Sequence, residues 1–128
     1  VLGTVEAIER SHDRVRTLVE SLWSVFESDD FKAIVELWLA AANDGGLRRR
    51  VLPVMRAFDA TLRPLAARLF PKAARHPKDL AAATGLLFNF MQGMGLARAA
   101  FGSDPGGEVD GAAERELLVK LLSPVLTG

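Results

Sequence analysis

Between Leu80 and Ala97 the chain runs for eighteen residues without a charge, and twelve of them are apolar. A helix that is apolar on every side is normally buried on every side. The run therefore dictates an interior helix around which the other elements are arranged. Its length alone also fits a membrane span. Thr84, Asn89, Gln92 and three glycines interrupt it, however, and no second such run occurs in the 128 residues, so we read no membrane segment.

Elsewhere apolar residues recur at intervals of three and four, the helical period. No alternating run of β-branched residues is present, and Asp44-Gly45 and Asp110-Gly111 sit between helical patterns rather than between strands. The expected architecture is all-α, a bundle of about five helices in a single domain over residues 1–128, which is close to the length of one domain. Helix one covers about Ser11–Glu27, with an earlier piece over residues 1–10; its stripe is Ile8, His12, Val15, Val19, Leu22 and Phe26, and Ser11 is its expected cap. Helix two covers about Asp29–Ala42, capped by Ser28 and ended by Asn43-Asp44-Gly45-Gly46. Helix three covers about Leu47–Phe70 with Leu47, Val51, Val54, Met55, Phe58, Leu62, Leu65 and Leu69 on its stripe, and a kink or break is expected near Pro53 or Pro64. Helix four covers about Lys78–Phe101, with Pro77 suited to its first position. Helix five covers about Gly111–Leu126, capped by Asp110 and shortened if Pro124 stops it. The glycine-rich stretch 102–107 is expected to be the most flexible connection.

Two faces can be drawn on helix four. One carries Leu80, Thr84, Leu87, Met91, Met94 and Gly95; the other carries Leu86, Asn89, Phe90, Gly93, Leu96 and Ala100. In so small a chain one face lacks an intramolecular partner, and large exposed apolar patches are rare on monomers. A homodimer is expected, with the last two helices and their symmetry mates forming a four-helix interface. Leu87, Met91, Met94 and Gly95 of helix four and Leu118, Leu121, Leu122 and Val125 of helix five are assigned to it.

Catalytic chemistry finds no foothold. Sixteen basic and sixteen acidic residues cancel, which disfavours a strongly basic nucleic-acid binder. There is no cysteine, hence no disulfide and no thiolate ligand or nucleophile. His12 and His76 lack His, Asp or Glu partners at metal-ligand spacing, and His12 reads as a core or boundary residue. Gly93-Met94-Gly95 lies mid-helix, where it cannot cradle a phosphate, and Arg48-Arg49-Arg50 reads as a solvated helix start. We expect neither an enzyme nor a cofactor or metal. A small apolar ligand is expected instead, held between helices by Trp23, Phe26, Trp38, Met55, Phe58, Asn89 and Phe90, because such sites are mostly apolar with a few placed polar groups.

The segment Phe31 to Arg48 resembles the C-terminal domain of TetR-family transcriptional regulators. The matching features are Phe31, Glu36-Leu37-Trp38, Ala40-Ala41-Ala42, Asn43-Asp44 and Leu47-Arg48, in that order; Arg14–Trp23 is similar to the preceding helix, and Leu86–Leu96 to the long helix that often helps form the family's dimer interface. The resemblance implies a cytoplasmic, one-component regulator, here its effector-sensing and dimerising half. It also implies an N-terminal helix-turn-helix that binds DNA, a repressor as the default, and ligand-dependent DNA affinity. No such basic helix-turn-helix occurs within these residues, which open on Val1 and are read as part of something longer; DNA contact is expected only through that further domain. The competing readings are a stand-alone helical carrier and a dimeric adaptor module.

Overall fold

Asp13, Ser28 and Asp44 each begin a helix. Their side chains accept hydrogen bonds from the backbone N–H of Arg16, of Phe31, and of Gly46 and Leu47, which satisfies donors a helix start otherwise leaves orphaned. The structure, a computed structural model, describes residues 2–102, 106 and 110–128. Among these it is wholly helical apart from loops. Its elements are α1 (Leu2–Arg10), α2 (Arg14–Phe26), α3 (Asp29–Ala42), α4 (Gly45–Leu69), a 3-10 turn (Ala73–Arg75), α5 (Pro77–Phe101) and α6 (Ala112–Leu126). The bundle is therefore all-α, with six helices where about five were expected.

The extra helix comes from the joint between α1 and α2. Ser11 does not cap; its hydroxyl is bonded to the Thr17 hydroxyl and to the Asp13 carbonyl, while Asp13 takes the capping role two residues later than expected. His12 consequently sits in the joint and is exposed, not on the buried stripe. α4 starts at Gly45 because Asp44, read from the sequence as part of a terminator, is its cap. Neither Pro53 nor Pro64 breaks this helix of 25 residues. The carbonyls each proline leaves without a donor, those of Arg49 and Ala60, belong to exposed residues where water can take over. Pro77 occupies the first turn of α5 as expected. At α6 the expected cap fails: Gly111, with φ of 65°, occupies the N-cap position, and Asp110 instead gives its backbone carbonyl to the Arg115 guanidinium. Pro124 lies inside α6 without ending it. The glycine-rich stretch 102–107 falls largely outside the described residues.

α5 is not buried on every side as its uncharged run predicts; one stripe of it forms the centre of the core and the other faces outward. Leu80, Ala83, Leu87 and Met91 pack with Val15, Val19, Trp23 and Phe26 of α2, with Val119, Leu122 and Leu126 of α6, and with Val5, Ile8 and Phe70. Gly95 is required where α5 meets the α2–α3 corner: a Cβ there would come within 2.6 Å of the Phe31 ring and 2.9 Å of the Phe26 carbonyl oxygen. α1 is pinned at its C-terminal end by Arg14, which donates to the carbonyls of Leu69 (2.7 Å) and Glu9 (3.0 Å).

Two exposed ion pairs tie distant parts of the chain together. Arg68 grips Glu9 with both arms, at 2.6 and 3.1 Å, and Arg16 does the same to Glu116. Each guanidinium holds its carboxyl below the usual carboxylate range. A depressed folded value means that the stabilisation is present above the unfolded value and is lost as pH falls through the folded one. Thermal stability should therefore fall as pH is lowered from about 5 to about 3. A Glu9→Gln/Glu116→Gln variant melted across the same range should show a flatter profile. An unchanged profile would remove these pairs from the account.

Candidate functional site

α3 and α4 run antiparallel from the turn at Asn43-Asp44, and an apolar groove opens between them. Trp38, Ala41 and Ala42 of α3 face Arg48, Val51, Leu52 and Met55 of α4 across about 260 Å³. A cavity of about 150 Å³ with apolar walls accommodates benzene, so this groove has room for a molecule of more than one ring. Arg48, Val51, Leu52 and Met55 follow the spacing i, i+3, i+4, i+7 of one helical face. That spacing was the sequence signal for the groove's α4 wall; Arg48, exposed as its basic run implied, borders the groove at its solvent side.

Arg48 is the groove's one charged lining residue. Its Nε donates to the Ala41 carbonyl at 3.3 Å and its Nη2 to the Ala42 carbonyl at 2.9 Å. These are carbonyls at the C-terminal end of α3, where a cation is favoured by the helix dipole. Trp38 is connected inward by an aromatic chain: its ring meets Phe31 edge-on at 6.0 Å, Phe31 meets Phe26 at 4.7 Å, and Phe26 meets Phe88 at 6.2 Å.

The seven residues expected to hold a ligand do not come together. Trp38 and Met55 line the groove. Trp23 and Phe26 are core residues, 5% and 8% exposed; the Trp23 ring is packed under the Arg115 guanidinium, 5.1 Å from its centroid. Phe58, one turn beyond Met55, is 60% exposed and outside the groove's lining. Asn89 is exposed and Phe90 half-buried, both on α5 and neither near α4's wall of the groove. Helical periodicity placed these aromatics on apolar faces without saying which faces meet.

A smaller cleft of about 160 Å³ lies where Phe26, Ser28, Phe31 and Lys32 approach Gly95, Arg98 and Gly102. Two of its polar groups are already engaged within the fold. The Ser28 hydroxyl donates to the Val25 carbonyl and caps α3, and Arg98 donates to the Glu27 carbonyl. Among the described residues no three of His, Asp and Glu are grouped to hold a metal ion.

The second surface of interest is on α5 and α6. The structure reverses the two faces of α5. Leu87, Met91 and Gly95, assigned from the sequence to a dimer interface, are in the core, as is Leu122 of α6; Met94 and Leu118 are partly buried against it. Met94 is held by Gly111, where a side chain would collide with it. The opposite face looks outward: Leu86 is 61% and Leu96 46% exposed, and Gly85 and Gly93 have open space where a Cβ would stand. On α6, Leu117, Leu121 and Val125 form an exposed row at four-residue spacing. Of the residues assigned to the interface, Leu121 and Val125 are thus the two that face solvent fully. The reversal has a packing reason. Leu80, Leu87 and Met91 of α5 pack in the core with α2 and α6, and only the face with Gly95 lets Phe31 approach. Among the described residues α5 is also the one helix long and apolar enough to cross a membrane, with 28% of that window buried inside the protein. The chain matches no family model, no curated protein and no solved structure.

Proposed function

We propose that this chain is the effector-binding and dimerisation domain of a one-component transcriptional regulator of the TetR type. In this reading a helix-turn-helix N-terminal to these residues binds DNA as a repressor, and a small apolar effector in the α3–α4 groove lowers that affinity. The observation that carries the reading is the unpartnered apolar face of α5 and α6, with Leu86, Leu96, Leu117, Leu121 and Val125 exposed together on two packed helices. An exposed surface of this kind is rare on monomers, and a two-fold axis covers it by pairing it with itself as a four-helix layer. The resemblance of residues 14–48 to the regulator family supports the sensing role, and the groove lined by Trp38 and Met55 offers a place for the effector.

In mechanism, an effector bound better by one arrangement of α3 and α4 shifts the dimer toward that arrangement. The aromatic chain from Trp38 through Phe31 to the Gly95 contact joins the groove to α5, which carries the dimer face. A coupling of about 1–3 kcal/mol is enough for a useful switch.

The test is the coding sequence upstream of Val1 together with sedimentation equilibrium of the 128-residue chain. A short basic three-helix segment upstream and a dimer in solution are expected. Upstream sequence without such a segment overturns the regulator reading, and a monomer overturns the dimerising one. A second reading, a dimeric adaptor module, is favoured by the absorption of Trp23 and Phe26 into the solid core; the same upstream sequence decides between it and the regulator.

A further inference from the structure

The balanced net charge conceals a sharp segregation. Nine of the sixteen lysines and arginines lie between residues 45 and 78, against one acid, Asp59. Every charged residue on the groove's α4 wall and its immediate neighbours is an arginine: Arg48, Arg49, Arg50 and Arg56. The nearby carboxylates are committed elsewhere. Asp44 caps α4 through the N–H groups of Gly46 and Leu47, and Asp59 pairs with Arg63 at 3.0 Å. Arg48 has no carboxylate partner among the described residues. Its two hydrogen bonds go to carbonyls at the C-terminal end of α3, and the side chain is exposed, so its remaining N–H groups are open to solvent and to an incoming anion. The rest of the groove is tryptophan, alanine, valine, leucine and methionine.

We propose that the groove takes a singly charged amphiphilic anion, with an aromatic or short-chain apolar body against Trp38 and Met55 and its carboxylate or sulfonate on Arg48. The proposal rests on the effector-binding reading above and narrows the ligand class. A neutral apolar molecule would satisfy the walls but leave the cation unanswered. An anion satisfies both, because an ionised acceptor on a guanidinium makes hydrogen bonds roughly twice as strong as neutral ones. A site of one sign with low-dielectric walls also concentrates ligands of the opposite sign. A second anionic group is not called for, since Arg48 is the one cation among the lining residues; Arg49 and Arg50 supply field rather than contact.

Two dyes that share one ring system test this directly. N-phenyl-1-naphthylamine is neutral, and 8-anilinonaphthalene-1-sulfonate is the same skeleton with one sulfonate. Binding to the 128-residue chain is followed by dye emission. We expect the sulfonate to bind at least about tenfold more tightly, a gap that corresponds to about 1.4 kcal/mol. The gap should shrink with added salt and in Arg48→Gln, and be largely restored in Arg48→Lys. Met55→Asp, at a groove residue that is 45% exposed and so tolerated by the fold, should weaken both dyes at least about tenfold. The salt series on the unaltered chain decides the question even if Arg48→Gln loosens the α3 terminus. Equal affinities, indifferent to salt and to Arg48→Gln, overturn the anionic class while leaving an apolar groove. Absence of saturable binding by either dye, or binding unchanged in Met55→Asp, overturns the groove as a ligand site and the proposal with it.

Discussion

Replacing Trp23 by alanine lowers the free energy of unfolding by about 3–5 kcal/mol, the range for removing a large aromatic from a core. Trp23 is 5% exposed and packs within the cluster that joins α2, α5 and α6. Its loss does more than open a cavity. The Arg115 guanidinium lies 5.1 Å from its ring centroid and is 8% exposed, held otherwise by Glu20 at 3.1 Å and the Asp110 carbonyl. Without the ring, a buried cation loses its apolar and quadrupolar cover. Phe58→Ala supplies the contrast, because its ring is 60% exposed and a loss below about 1 kcal/mol is expected. Urea unfolding of the two variants measures both. Similar losses would mean that α4 packs more tightly over Phe58 than the structure shows.

A Leu86→Glu/Leu121→Glu variant is expected to sediment as a monomer, with a dimer dissociation constant raised by at least about a hundredfold, the loss typical of a disrupted interface centre. Both side chains are more than half exposed, at 61% and 63%, so the change is tolerated by the isolated chain and its helical circular dichroism should persist. In a dimer the same changes bury charges against an apolar layer, where each is unpaired and costly. Leu87→Ala serves as the control. Leu87 is 1% exposed, and its truncation should lower thermal stability through the core rather than separate subunits. If the double glutamate variant stays dimeric while Leu87→Ala dissociates, the outward face of α5 is not the interface.

The reversal of the α5 faces shows how far periodicity reaches. Both stripes, the one through Leu87 and Met91 and the one through Leu86 and Leu96, satisfy the helical spacing equally well. With no charged residue between Leu80 and Ala97 there is no polar face to orient the helix. What orients it is the partner elements: Phe31 needs a glycine at 95, and Met94 needs one at 111. Neither requirement is visible until α3 and α6 are in place. The stripe of α4 failed for a related reason. Its apolar residues are regularly spaced, but among them Leu69 alone is buried, because α3 is too short to cover the middle of a helix of 25 residues. Val54, Met55 and Phe58 are left exposed there.

The candidate groove was half legible. Trp38 and Met55 were named from their residue type and stripe, and Arg48 was passed over because it sits in a run of three arginines. A run of charges reads as solvated, and Arg48 is exposed; what holds it at the groove's edge is its hydrogen bonds to the carbonyls of Ala41 and Ala42, seven and six residues earlier in the chain.

By itself the sequence determined the all-helical class, the cap at Ser28, Pro77 in the first turn of α5, and the surplus of apolar surface that the chain cannot bury alone. These follow from local rules: period, cap chemistry and the fixed φ of proline. Only the tertiary structure decided which side of each apolar helix faces inward, that His12 lies in a joint, and that Trp23 belongs to the core while Trp38 borders a groove. Burial depends on which neighbours arrive. That information is carried by the shapes of elements distant in sequence, not by the spacing within any one of them.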